Sequence, residues 1–408
     1  MAFTVGSETG PLRRVMVHRP GLELNRLTPS NRHDLLFDDV VGASRAREEH
    51  DAFVAAMTDR GVEVLDYGRL LGEALDDEEA REWAFDRLLN ERTVGPALAK
   101  PLRDLGRSVD GRTLARLWIG GIIKTDLTTD VNGLLWSALG DDDFLMTPLP
   151  NTMFTRDNSA WAYGGVTLNP MSKPARKRET IHTYIIYRWH PLFRDAWRQP
   201  DGFSVWLGED DVPYGPATIE GGDVQVIGNR SMLVGLSERT TAQGVEMLAC
   251  KLFKAGVADR VVAVQLPKQR AFMHLDTVMT MVDRDTFVAY PGLVDSVRSF
   301  TLTLAGDQLK VEENDTLRGA LSSALDLDAK ILVAKMSMGD AEREQWDDGN
   351  NFLALSPGVV VGYERNLRTN AMLRDNGIEV AAVAGSELGR GRGGPRCMTC
   401  PIDRAPIV

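Results

Sequence analysis

Cysteine is scarce in this chain. Only Cys250, Cys397 and Cys400 occur in 408 residues, too few for a disulfide framework, so a reducing cytoplasm is the expected compartment. Histidine is nearly as sparse, with six residues scattered singly, which argues against a structural zinc site. No apolar run approaches the ~20 residues of a membrane helix. The first residues, MAFTVGSETG, lack the basic segment and apolar stretch of a secretory signal. Positive charge is also in deficit: 47 Lys and Arg stand against 58 Asp and Glu, for a net charge of -11. Nucleic acid is therefore not an expected partner, because neutralising phosphates takes a basic surface. An acidic surface is compatible with a cationic substrate, but an ordinary soluble cytosolic surface is the better reading of charge alone. Apolar residues are plentiful at 43%, which excludes disorder and allows one large domain or two ordinary ones.

A unit of two strands, a helix and another strand recurs along the chain. Its clearest copy is EGGDVQVIG, SMLVGLS, a helix over about 240–255 closed by Gly256, and RVVAVQLP. Thr240 and Gln243 have capping-box spacing. A second copy runs NFLALSP, VVVGYE, a helix over 368–375 and IEVAAVA. HLDTVMTMVD, TFVAYPG, a helix near 316–325 and KILVAK make a third, with an extra stretch at 299–311. WAYGGVTLNP, the helical 178–189 region and FSVWLG make a fourth; RRVMVH, the helix 44–59 and VEVLDY make a fifth. Such self-similarity marks a repeat architecture. The drifting period favours a closed ring of modules over a solenoid, with module entrances meeting at a common axis. Residues 72–141 stand apart as a helical stretch in which Asp76 and Glu79 have capping-box spacing and Pro96 and Pro101 act as breaks. We read it as an inserted helical subdomain on a domain made of 1–71 and 142–408, with a supporting or oligomerising role, so a homo-oligomer is expected.

The polar motifs concentrate at module entrances. They are FTRD ending at Asp157, EGGD from Glu220 to Asp223, MHLD from His274 to Asp276, and DDGNN starting at Asp347. GRGRGG at 389–394 matches G-x-G-x-x-G formally, but no helix can follow it as a dinucleotide site requires. The productive reading is a mobile loop that lets backbone approach a ligand. Cys397-x-x-Cys400 lacks the helix of a redox motif. Arg390, Arg392 and Arg396 crowd Cys397, and such charge favours the thiolate. His274 and Asp276 open a strand, where period 2 sets both on one face. A lone histidine is more often structural, but Glu220 and Asp157 at equivalent entrances favour a site, with Glu220 orienting the histidine. The competing reading is a manganese or magnesium centre on Asp157, Glu220, Asp223, His274 and Asp276, which would leave the cysteine loop without a role.

These motifs in order, SETGPLRRVMVHRPG, NTMFTRD, NPMSKPARKRET, YRWHP, EGGDVQVIG, SERTT, MHLDTVMT, AEREQWDDGNN, PGVVVGYERN and ELGRGRGGPRCMTCPI, resemble the arginine deiminase family. That family lies within the guanidine-modifying superfamily, built on a five-bladed α/β propeller. The resemblance implies hydrolysis of L-arginine to citrulline and ammonia without metal or other cofactor. It implies Cys397 as nucleophile, His274 as general acid and base, Glu220 as its partner, and Asp157 and Asp276 as clamps on the substrate guanidinium. Arg176 and Arg239 match residues that hold the substrate carboxylate, Asn151 and Phe154 match lesser pocket contacts, and Arg392 matches an arginine on the gating loop. Two places differ. Asn158 stands where many members have proline, and the segment around Gly339 is shorter than the family's Gly-Gly turn.

Overall fold

Among the described residues, strand pairing repeats one pattern in five of the six sheets. The structure, a computed structural model, describes residues 3–199, 201–208, 214–293 and 296–407. Val224–Gly228 runs antiparallel to Ser231–Leu236, the chain crosses through the helix Ala242–Lys254, and Arg260–Gln265 returns parallel to the second strand. Parallel neighbours need such a crossover, and a helix is the usual one. The same antiparallel and then parallel pairing recurs in the sheets opened by Ser159–Ala162, Met279–Met281 and Leu353–Ser356. In the fifth, Leu12–Val17 is flanked by Glu63–Asp66 and by Cys400–Arg404, from opposite ends of the sequence. The architecture is thus mixed α/β with many sheets, and no sheet among the described residues closes on itself.

Several local expectations change. The 299–311 stretch is a hairpin, Ser299–Ala305 with Gln308–Glu313, and it extends the preceding module's sheet by pairing with Arg260–Gln265. There it buries Leu302 against the shared core, which an isolated hairpin could not do. The helix over 242–254 is capped by Thr241, whose side chain accepts from Gly244 N. Thr240 instead receives Glu220 N at 3.1 Å and so steadies a site residue. His274 and Asp276 do not open a strand: Leu275–Thr277 is a single 3-10 turn, and the strand starts at Met279. Leu275, fully buried, pins that turn to the core. Gly339 lies inside the helix Met338–Trp346 rather than in a turn.

The helical stretch starts earlier than its sequence suggests, with Tyr67–Leu75, and Asp77 rather than Asp76 caps the helix Glu78–Leu88. Pro96 opens the helix Pro96–Ser108, where its missing N–H costs nothing, and Pro101 sits inside it without ending it. The stretch also contains Ile122–Ile123, paired with Phe144–Met146. Its apolar faces join a single cluster in which Leu71, Leu88 and Trp118 pack with Ile185, Trp189 and Val226. Trp83 stacks on Tyr184 at 4.6 Å. Each fully buried Leu, Ile or Val contributes about 1.5–3 kcal/mol, so these helices and the neighbouring module stabilise each other. No helix among the described residues is long and apolar enough to cross a membrane.

Candidate active site

The turn before each module's first strand supplies the polar residues. Asp157 precedes Ser159–Ala162, Glu220 precedes Val224–Gly228, His274 and Asp276 precede Met279–Met281, Asn351 precedes Leu353–Ser356, and Cys397 precedes Cys400–Arg404. All six side chains are buried. Asn151, Phe154, Asp157, Arg176, Arg239, His274, Arg392 and Cys397 line one cavity of about 20 Å³, together with Leu36, Arg270, Met273 and Gly391. That volume admits little more than one water, and Gly391 and Arg392 form part of its wall together with Cys397. A larger cleft of about 1010 Å³ beside His18 and Arg112 has no cysteine in its lining.

One side of the cavity is a matched set of charges. His274 Nε2 lies 2.8 Å from Glu220 Oε2, and its Nδ1 lies 3.7 Å from Asp157 Oδ1. Burial opposes charge on the imidazole, but Asp157, the bond to Glu220 and Asp223 push it up to about 9. Burial likewise opposes charge on Glu220, yet His274, Arg239 and Arg176 hold it at about 2. The pair therefore rests as imidazolium and carboxylate. Asp223, raised by burial to about 7, accepts from Ser237 Oγ at 2.6 Å and Leu275 N at 2.8 Å, which fixes the histidine's turn. EGGD needs its second glycine because a Cβ on Gly222 would fall 2.7 Å from the His274 ring.

The two arginines that the sequence assigns to a substrate carboxylate are already engaged. Arg176 Nη1 donates to Asp157 Oδ2 at 2.6 Å, while its Nε and Nη2 hold Glu179. Its Nη2 also reaches the carbonyls of Asn151 and Phe154. Arg239 Nη1 donates to Glu220 Oε2 at 3.4 Å. Asn151 turns its amide to the Leu35 carbonyl at 2.7 Å.

The sulfur side is arranged differently. The arginines do not crowd Cys397. Arg390 pairs with Asp39 on the surface, and Arg392 lies over the Trp346 ring at 3.7 Å and donates to the Trp346 carbonyl. Arg396 is taken up by carboxylates, Glu8 at 3.0 Å and, at 2.8 Å, the Asp276 Oδ2 that also accepts from the thiol. Carboxylates dominate instead: burial first, then Asp276, Asp157 and Asp348, push the Cys397 thiol well above its usual range. The expectation that these arginines favour the thiolate is thus corrected, and the thiol donates to Asp276 Oδ2 at 3.6 Å. Several buried polar atoms here have no partner: Asp276 Oδ1, both oxygens of Asp348, and Nε and Nη2 of Arg392. Asp348 and Arg392 also hold left-handed backbone, at φ 58° and 63°, conformations that cost energy and gather at working sites.

A metal reading is weaker on this geometry. Asp157, Glu220 and His274 do bring three donor atoms within 4.8 Å of one another. However, Arg176 and Arg239 already place guanidinium charge on the two carboxylates, Asp223 faces Ser237, and Asp276 faces Arg396. Cys400, the other half of the C-x-x-C, packs against Ser159 and Tyr187, and all three cysteines are free.

Sequence reasoning named the DDGNN cluster but gave Asp348, Asn351 and, outside that cluster, Arg396 no contact role. The available signal was positional: Asn351 stands two residues before a first strand, as Asp157 does.

Structural relatives share this fold over almost their full length. An amidinotransferase of saxitoxin biosynthesis from Microseira wollei aligns with a TM-score of 0.56 at 14% identity, covering 99% of this chain and 98% of that one. Dimethylarginine dimethylaminohydrolase from Pseudomonas aeruginosa, complexed with citrulline, aligns at 0.53 and 15%, covering 96% and 99%. The N-terminal domain of ArgZ, a cyanobacterial arginine dihydrolase, aligns at 0.52 and 12%, covering 96% and 98%. At these identities the likeness is one of fold. The family model for arginine deiminase, by contrast, matches residues 33–404, nearly the whole sequence, and the chain belongs to the arginine deiminase family.

Proposed function

We propose that this protein hydrolyses L-arginine to L-citrulline and ammonia through a covalent cysteine intermediate. The observation that carries the reading is the convergence of Cys397, Asp157 and His274 on one cavity, with Glu220 behind it bonded to His274 and Asp276, outside the lining, accepting from the thiol through Oδ2 while its Oδ1 has no partner. A guanidinium is planar and carries N–H donors in a fixed fork, which carboxylates accept. Asp276 Oδ1 is free to accept one edge, and Asp157 accepts another once Arg176 shares or leaves its Oδ2. Binding a cation beside Cys397 offsets the three carboxylates that hold its proton, so substrate binding and thiol ionisation are linked.

As the cation binds, the thiol releases its proton to solvent, since His274 is already protonated, and the thiolate attacks the central guanidinium carbon. His274, protonated at neutral pH, gives its proton to the departing ammonia, leaving an amidino-thioether. The neutral imidazole takes a proton from water, the hydroxide adds to the same carbon, and collapse returns the thiolate and releases citrulline. Glu220 steadies the imidazolium at each end of the cycle. Arg176 and Arg239 serve the substrate carboxylate in this reading, which requires the Arg176–Asp157 pair to open. Arg392 leaves or returns to Trp346 as the loop gates the cavity.

The five modules are read as a ring around this cavity, a five-bladed α/β propeller formed by 1–71 and 142–408, with 72–141 as a supporting subdomain. The test is product analysis after incubation with L-arginine in the presence of a chelator. Citrulline with ammonia supports the reading, and ornithine with urea overturns it. Agmatine, which lacks the carboxylate, is expected to turn over poorly; comparable rates would remove Arg176 and Arg239 from the substrate site.

A further inference from the structure

Asn351 occupies the one module entrance that the proposed chemistry leaves without a task. Its side chain is completely buried, and its hydrogen-bonding capacity is used in full. Oδ1 accepts from Arg396 N at 2.9 Å and from Cys397 N at 3.3 Å. Nδ2 donates to the Asp276 carbonyl at 3.0 Å and to Cys397 Sγ at 3.1 Å. An amide has one oxygen with two lone pairs and one nitrogen with two hydrogens. Two backbone N–H groups on one side and a backbone carbonyl on the other fix which end is which, so the atom facing the sulfur is a donor. The fit is tight: a Cβ on Gly394 would lie 2.6 Å from Asn351 Oδ1.

We propose that Asn351 is a positioning residue that holds the Cys397 turn against the Asp276 turn and supplies an uncharged N–H donor to the cysteine thiolate. Carboxylates press on the sulfur, and they disfavour its anion. A neutral amide donor at 3.1 Å favours the anion without adding a cation that would repel a guanidinium substrate. Asparagine therefore suits this entrance better than lysine or arginine. The assignment rests on Cys397 being the nucleophile, and its test reads sulfur ionisation rather than turnover.

The experiment is an ultraviolet titration of the thiolate in the full-length protein, with Cys397→Ser as the blank, comparing wild type with Asn351→Asp and Asn351→Ser. Asn351→Asp keeps the acceptor oxygen and replaces the donor with a second acceptor. The Cys397 midpoint should rise by about one pH unit or more, a tenfold loss of thiolate at fixed pH, with a smaller rise for Asn351→Ser. A folded Asn351→Asp protein with an unmoved midpoint overturns the proposal. If neither variant folds, asparagine-labelled wild type decides by NMR: the Asn351 amide protons should shift with the same midpoint as the sulfur, and indifference to sulfur ionisation overturns it. A protein inactive on arginine that still shows these shifts would remove the deiminase reading and leave this one standing.

Discussion

The two sides of the cavity differ in how their buried polar atoms are matched. On the histidine side, His274, Glu220, Asp157, Arg176 and Glu179 form a chain of short ionic contacts. On the sulfur side, Asp276 Oδ1, Asp348 and two Arg392 nitrogens are buried without partners. Leaving such atoms unsatisfied costs about 1–3 kcal/mol each, more when they are charged. The histidine side is a run of ion pairs in which the proposed cycle opens only Arg176–Asp157, whereas the sulfur side keeps acceptor oxygens unpaired, Asp276 Oδ1 and the Asp348 carboxylate, of the kind a guanidinium satisfies.

The comparison breaks most sharply at the sulfur. Cys397→Ala should lower citrulline formation by about 10⁴-fold or more, as removal of a nucleophile does elsewhere, with the fold intact by circular dichroism; residual turnover near wild type would end the covalent scheme. His274→Ala tests the matched side, where loss of a general acid and base is expected to lower kcat by about 10²–10⁴. Asp276→Asn should reduce kcat/KM by about 10²–10³, on the scale of one lost oriented transition-state contact. It also deprives Arg396 of a buried partner, so part of the loss should appear as a lowered Tm.

The halves should also part in their pH dependence. His274, raised from 6.5 to about 9, contributes stability that is complete below 6.5 and fades as pH rises through 9. Glu220, lowered from 4.5 to about 2, contributes stability present above 4.5 and lost as pH falls towards 2. Asp348 runs the other way. Burial lifts it from 3.8 to about 7 despite Arg392, so its cost is absent below 3.8 and grows until pH passes 7. Asp348→Asn should therefore stabilise the protein above neutrality relative to wild type while leaving pH 3.5 unchanged; denaturant midpoints at three pH values would show it. The smallest expected effect is at Trp346→Ala, where a half-exposed cation–π contact of about 0.5–1 kcal/mol should shift KM by a few fold at most.

Much of this site was legible in the sequence, for a physical reason. A chain entering successive modules brings residues that are far apart in sequence to one place, so Asp157, Glu220, His274, Asp276 and Cys397 could be grouped before any coordinates. What was not legible depends on side-chain direction. Three arginines near a cysteine suggest positive potential, but Arg396 reaches Glu8 and Asp276 while Arg390 reaches Asp39, and the sulfur is left among acids. Alternation also misled at His274. Period 2 holds only for extended chain, and the buried Leu275 inside a 3-10 turn obeys a tighter geometry. Thr240 and Thr241 show the same limit at a helix start, where either hydroxyl could cap and only packing decides.

The strand Cys400–Arg404 is laid between Thr4–Val5 and Leu12–Val17, and Arg404 donates to the Gly10 carbonyl across a separation of 394 residues. Contacts of such long range are late to form, because the intervening chain must be ordered before they are rewarded. The sulfur is thus placed by the same event that ties the sequence's two ends together. Trimming the chain after Cys397 would keep the sulfur in the sequence but remove the strand that anchors its turn between Thr4–Val5 and Leu12–Val17.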